Sequence, residues 1–301
     1  MYPPVDPVII AIGPLVLRWY GVLIMLGVLA ATLVASQYVK RKGENPDNVW
    51  DMLLWVLIPG LIGARLYYVF IQSPRGPEGF DRYLQNPVEI IQIWEGGIHI
   101  FGGFIFGGLA LLLFARVRKL PLLLYLDATC LGLPLGQAIG RQANFINQEL
   151  YGPPTTLPWG LRIDPEHRIS PYNNLLAYPD DVRFHPLFLY ESLWNFSGFG
   201  LLFWISRRFE DRLKMGDIFL LYLIWYPTGR FFIEFLRTDS WFFPGTPFNV
   251  VHLLAGAAAI TAAVVLFLRH RPGSNVQSEV LPTGPDADST PDTPEQEAAT
   301  S

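Results

Sequence analysis

LVLRWYGVLIMLGVLAATLVASQYV (Leu15–Val39) runs directly into Lys40, Arg41 and Lys42. Its one ionisable residue is Arg18, near the start. About 20 consecutive apolar residues are enough to cross a bilayer core as a helix. A basic cluster straight after such a run marks its cytoplasmic end. This stretch therefore reads as a membrane span leaving the N-terminus outside. The preceding Met1–Gly13 lacks a basic region and a small-residue cleavage site, so the span is expected to act as an uncleaved anchor.

Further apolar runs of similar length lie near Val49–Ile71, Ile98–Ala115, Leu122–Ile139, Pro186–Ile205, Gly216–Phe235 and Val250–Leu268. The sequence thus predicts an all-α polytopic membrane protein with about seven transmembrane helices. Basic residues test this layout. Lys40, Arg41 and Lys42 follow the first run, Arg116, Arg118 and Lys119 the third, and Arg207, Arg208, Arg212 and Lys214 the fifth. Arg269 and Arg271 follow the seventh, and every Lys of the chain is in this set. The positive-inside rule places these connections and the C-terminus in the cytoplasm.

Composition agrees with a bilayer environment. The 301-residue chain is 51% hydrophobic, and its charged fraction of 16% is well below that of soluble domains. The formal charge of -4 comes from the end of the chain. Residues 272–301 hold Glu279, Asp286, Asp288, Asp292, Glu295 and Glu297 and no Lys or Arg. That stretch is rich in Pro, Ser, Thr and Gly, so it is expected to be a disordered cytoplasmic tail after a membrane domain of residues 1–271. Long outside loops are expected near 73–97 and 150–185. Cys130 is the lone cysteine, so an intrachain disulfide is impossible, and a buried apolar role is expected for it. Gly132, Gly136 and Gly140, and likewise Gly103 and Gly107, repeat at four-residue spacing and are expected to let helices approach closely.

Ionisable residues inside spans are costly and face a partner or a polar cavity. Arg65 lies in the second run, after a bend expected at Pro59-Gly60. Arg141 is expected just after the fourth run, close to Asn144, Asn147 and Glu149, and Glu191 lies inside the fifth. Tyr226, Arg230, Glu234 and Arg237 follow one another at four-, four- and three-residue steps, which puts them on one helix face. That stripe is either a self-neutralising Arg230–Glu234 pair or the lining of a cavity shared with Arg141. Arginine donates paired hydrogen bonds suited to phosphate. Together these residues predict an outward-facing site for an anionic lipid headgroup. No His/Cys/Asp/Glu set has metal-ligand spacing, and no phosphate-binding glycine loop is present, so no metal or cofactor is expected. His167 and His270 read as exposed flanking residues and His252 as structural. The residues alone leave the reaction open.

GRQANFINQELYG (Gly140–Gly152) resembles the signature stretch GR-x-x-NF-x-N-x-E-x-x-G of the prolipoprotein diacylglyceryl transferase family. In the same order as in that family come RWYG (Arg18–Gly21), GARLYYV (Gly63–Val69), GGIHIFGG (Gly96–Gly103), HPLFLYE (His185–Glu191) and RFFIEFLR (Arg230–Arg237). The resemblance implies an enzyme of the bacterial cytoplasmic membrane. It would move the diacylglyceryl group of phosphatidylglycerol onto the lipobox cysteine thiol of a prolipoprotein signal peptide, releasing glycerol phosphate. Neither a cofactor nor a nucleic acid enters this chemistry.

Carried over by motif, Arg141 would bind the lipid phosphate and Arg230 would stabilise charge on the departing phosphate. Glu149, Tyr226 and His99 join them as catalytic candidates, and Asn144, Tyr20, Glu234, Arg237, Gly97 and Gly102 as substrate-binding ones. Two positions depart from the family pattern. Phe101 stands where many members have the histidine proposed as base, with His99 two residues earlier, and Phe188 stands where glutamine is frequent. Three assignments follow: His99 serves from a bent segment, Glu149 or a tyrosine serves instead, or no protein base is needed. The competing classes are a transporter, a non-catalytic phospholipid-binding protein and an intramembrane hydrolase; the last needs a Ser, Asp or metal constellation that the spans lack.

Overall fold

The run of β-branched residues in VIIAI, followed by the short LVLR, favours an extended ribbon over a helix at the N-terminus. In the computed structural model, strand β1 (Val8–Ile12) pairs antiparallel with β2 (Leu15–Arg18), and Gly13 takes φ +57° at the link. The first helix therefore begins at Trp19, four residues later than expected. The structure describes residues 1–3, 5–13, 15–73, 79–93, 96–238 and 240–272. The expected tail from 273 onward lies outside them, as does 74–78 within the first long loop.

Helix α1 (Trp19–Arg41) ends in its basic cluster, and α2 (Asp47–Tyr67) runs through Pro59 into a π-helical turn, Tyr68–Gln72. Short α3 (Phe80–Gln85) leads to α4 (Ile100–Val117). α5 (Leu122–Ile146) extends seven residues beyond the expected Ile139. Next come β3 (Leu161–Arg162) and β4 (Arg183–Phe184), a second two-stranded ribbon. α6 (Leu187–Arg208), α7 (Asp217–Glu234) and α8 (Val250–His270) complete the chain. The fold is mostly helical, and the two ribbons correct the all-α expectation. Both are short edge pairings outside the long helices, where the hydrophobic pattern carries little signal.

Five of these helices are long and apolar enough to cross a membrane: Trp19–Arg41, Asp47–Gln72, Ile100–Val117, Leu122–Ile146 and Val250–His270. α6 carries Glu191, Ser192 and Asn195, and α7 carries Asp217, Arg230 and Glu234, so both are more polar. Large side chains such as Leu54, Phe104, Leu109, Phe232, Ile260 and Phe267 point outward from the helices. Such a broad apolar exterior suits lipid as solvent.

Glycines set the closest helix contacts. A Cβ on Gly132 would meet the Ala31 carbonyl oxygen at 2.2 Å, and one on Gly136 would meet that of Gly27 at 2.8 Å. These contacts pack α1 along α5. α2 and α4 form a second pair, in which a Cβ on Gly102 would lie 2.1 Å from the Gly63 carbonyl oxygen. Between β3 and β4 the 150–185 segment wraps its own small core of Tyr151, Leu161, Ile163, Tyr172 and Phe184. Buried Arg168 ties that segment by donating to the carbonyls of Ile163, Tyr178, Pro179 and Asp180.

At the opposite end, Asp127 of α5 accepts hydrogen bonds from the amides of Gly216 and Phe219, capping α7 from another helix. Beside it His270, expected as an exposed flanking residue, lies 2.7 Å from buried Asp217. Cys130 is buried in the α1–α5–α7 core, as expected.

Candidate active site

Arg141 lies on α5 itself rather than in a following loop, because the helix continues through GRQANFI with its polar groups satisfied from α6. Gln142 donates to the Ser192 hydroxyl (2.8 Å), which in turn donates to the Ala138 carbonyl. Arg141 pairs through Nε with Glu191 Oε2 at 2.5 Å and donates from Nη1 to Asn144 Oδ1 at 3.3 Å. Asn144 and Asn147 both donate to Glu149 Oε1, at 2.8 and 3.3 Å. Glu149 can fold back on the helix end because Gln148 and Leu150 take φ +54° and +55°. Non-glycine residues rarely adopt that conformation, and it concentrates at functional sites.

α7 supplies the second half. Arg230 Nη2 pairs with Glu234 Oε2 at 2.6 Å, and the Glu234 side chain is fully buried. Asn249 Nδ2 donates to the other oxygen, Oε1, at 2.9 Å. Arg237 approaches Glu191 Oε1 at 3.6 Å. Glu191 thus receives one arginine from α5 and another from beyond α7, joining the signature segment to the stripe. The Arg230–Glu234 pair forms, and Arg237 at the end of the stripe reaches the carboxylate that holds Arg141. Tyr226 and Arg230 line a narrow gap of about 10 Å³ with Glu191, Trp194, Asn195 and Ile233. Among the described residues, the buried Arg230 Nη1 has no hydrogen-bond partner. A guanidinium N–H in that state is a ready donor for an anion.

Next to this seam lies a cavity of about 490 Å³, whose lining includes Glu234, Arg237, Phe242, Phe248, Asn249 and His252. Trp194 and Trp225 stack at 4.5 Å, and each indole N–H donates to the other's carbonyl. Gly198 and Gly229 make room for them, since a Cβ on Gly229 would lie 2.1 Å from Trp194 Nε1. The clamp holds α6 and α7 at the depth of Glu191 and Arg230.

The remaining candidates divide. Tyr20, on the first turn of α1, lies within electrostatic reach of Glu149 and Arg141. His99, Gly97 and Gly102 belong to the α2–α4 pair, and no described contact ties them to the arginines. His99 precedes α4 in extended backbone, after Gly96 and Gly97 at φ +90° and +73°. The segment is therefore bent, and the His99 and Phe101 rings lie side by side at 5.3 Å, both against Tyr67. His99 Nδ1 accepts the Phe101 amide at 3.3 Å, which occupies the basic lone pair of the neutral Nε2–H tautomer. Gly102 sits in the tight α2–α4 contact, and the Gly97 carbonyl accepts from Arg65.

Sequence reading missed two groups. Glu191 was visible as a buried charge, but its joining role needs the fold. Asn249 was not singled out, although an Asn immediately before an apolar run is a helix-start signal. Asp164, Glu166 and His167 bring their ligand atoms within 4.8 Å of one another. Asp164 Oδ2 is already engaged by Gln148 and Tyr2, and the group lies apart from the seam. His252 Nε2–H donates to the Phe231 carbonyl at 3.1 Å.

Comparison with known proteins accords with this geometry. The family profile described as prolipoprotein diacylglyceryl transferase matches residues 7–268. A Chloroflexus aggregans protein named phosphatidylglycerol–prolipoprotein diacylglyceryl transferase is 43% identical over 90% of this chain and 92% of its own length. Proteins of the same name from a Nostoc species and from Lactiplantibacillus plantarum are 41% and 39% identical. Those matches cover 92% and 90% of this chain and 95% and 92% of the relatives. With its apolar helices the chain is a bacterial membrane protein of several spans. It belongs to the prolipoprotein diacylglyceryl transferase family.

Proposed function

We propose that the chain transfers the diacylglyceryl group of phosphatidylglycerol to the lipobox cysteine of prolipoproteins in the bacterial cytoplasmic membrane. The observation that carries this reading is the arginine seam, with two guanidiniums sharing Glu191 and a third holding a buried, unpartnered Nη1. Seven spans, with the N-terminus outside and the C-terminus cytoplasmic, put that seam near the outer leaflet. All seven helices of 18 to 25 residues would cross, α6 and α7 turning their polar faces to one another.

In the reaction the substrate thiolate forms a C–S bond to the glyceryl carbon while the C–O bond to phosphate breaks. The bonding pair leaves with the phosphate, so negative charge grows on glycerol phosphate. Arg141 binds the phosphate and Arg230 Nη1 meets the growing charge, where a preorganised donor is most effective. Asn144, Tyr20, Glu234 and Arg237 position these groups.

Thiolate is the reactive form, so the thiol proton needs an acceptor. Glu149 is favoured for this role. Its Oε1 is held by two amides, and its Oε2 carries no hydrogen bond among the described residues. Family membership does not favour the transporter or non-catalytic readings. The test supplies the purified protein with phosphatidylglycerol vesicles and a lipobox peptide. Glycerol phosphate release and a thioether-linked peptide are expected; release at background would overturn the proposal.

A further inference from the structure

We infer that Asn249 is a positioning residue for this reaction, holding the Arg230 guanidinium in its working orientation through Glu234. The inference rests on the transferase reading and extends it to a residue on α8. Three observations carry it.

The Asn249 amide has a fixed orientation. Its Oδ1 accepts from the backbone amides of Val251 (2.8 Å) and His252 (3.2 Å), capping α8. Only an oxygen can accept there, so Nδ2 must face away, and it donates to Glu234 Oε1 at 2.9 Å. The backbone around it is pinned as well. Val250 N–H donates to the Trp241 carbonyl, Phe243 N–H to that of Phe248, and Leu253 N–H to that of Asn249 itself.

Glu234 in turn has few ways to move. Its side chain is fully buried, with one oxygen given to Asn249 and the other to Arg230 Nη2. The Arg230 contact is a close ion pair at 2.6 Å, so a carboxylate held in place limits where that guanidinium can sit. Arg230 Nη1, the nitrogen with no described partner, is then aimed by a chain that begins on α8.

The contact is also placed where substrate would be felt. Glu234 and Asn249 both line the cavity of about 490 Å³, while Arg230 lines the narrow gap beside Glu191. Asn249 is thus the α8 end of a link between cavity wall and anion donor. A helix cap alone would need only Oδ1, whereas Nδ2 serves Glu234.

The two jobs separate by substitution. Asn249→Ser keeps a side-chain oxygen suited to capping but removes the donor to Glu234. Its helix content and thermal midpoint should stay close to the parent's. Its kcat for glycerol phosphate release should fall about tenfold, with KM for phosphatidylglycerol changed less than about twofold. Asn249→Asp keeps the cap and the side-chain shape but sets a carboxylate against Glu234, and its kcat should fall further. It reads the same contact if the serine variant gives little folded protein. In a Glu234→Gln background, Asn249→Ser should add little, because both act through one link. Parental kcat in Asn249→Ser, or full multiplicative effects in the double variant, would overturn the inference and leave the transferase reading standing. A parent protein that releases no glycerol phosphate would remove the reading itself.

Discussion

Two arginines within the long helices, Arg65 and Arg230, look alike in the sequence and differ in the fold. Arg65 donates from Nε to the Ile90 carbonyl, from Nη1 to those of Gly96 and Gly97, and from Nη2 to that of Glu89. All three nitrogens are spent on backbone oxygens, with Tyr68 and Tyr83 rings near its charge. Arg230 has a carboxylate on one side and an unpartnered nitrogen on the other. A saturated guanidinium organises a loop; an unsaturated one is available to a ligand. On the proposed function, the α2–α4 pair around Arg65 would then be scaffold and the α5–α8 seam around Arg230 the reactive region.

The strongest way to break this contrast is Arg141→Ala. Loss of a preorganised phosphate donor should lower glycerol phosphate release by about a thousandfold. Near-parental release would remove the seam from the chemistry. Next in size is the comparison of Glu149→Gln with His99→Ala. The first should cost about a hundredfold in kcat and the second less than about fivefold, since the His99 lone pair is engaged. Equal losses would move the base to the α2–α4 pair and erase the division. Arg65→Ala should act on stability instead. It strands four carbonyl groups, at a cost of about 3 kcal/mol by the usual price of unpaired buried polar groups. Thermal inactivation should come several degrees earlier, while activity per folded molecule stays within about threefold.

The smallest effect concerns the 150–185 segment. The hydrogen bond from Gln148 holds the Asp164 carboxyl below its usual range, with the Tyr2 hydroxyl adding to it. A depressed folded pKa means stability that is fully present above the ordinary value of about 3.9 and is lost as pH falls through the lower, folded value. Asp164→Asn should flatten the acid limb of a thermal-midpoint profile, because the midpoint falls slightly at neutral pH and stays close to the parent's at acid pH. An unchanged acid limb would show that this carboxyl contributes nothing to it.

Much of the architecture was legible from one-dimensional pattern. Apolar length gave the long helices, and the spacing of Gly132 and Gly136 marked a close helix contact, which the structure makes with α1. Ends and partners were less visible. The α5 extension was missed because GRQAN reads as polar loop until Ser192 and Glu191 of α6 satisfy it. The ribbon at Val8–Arg18 was missed because an apolar run looks alike as strand or helix start. Of the site, Arg141, Arg230, Glu149 and Tyr226 carried sequence signals of their own. Asn249 carried only a cap signal, because its contact with Glu234 exists solely in three dimensions.

The paired indoles of Trp194 and Trp225 have a mechanical consequence. Two reciprocal hydrogen bonds and a ring stack make α6 and α7 one stiff plate. A plate bends poorly, so the compliance needed to admit bulky, variable acyl chains must come from its edges. On one edge stands α8, fastened near Arg230 by the Asn249 amide and by His252 on the Phe231 carbonyl. Any widening of that edge would therefore be registered directly at the anion donor.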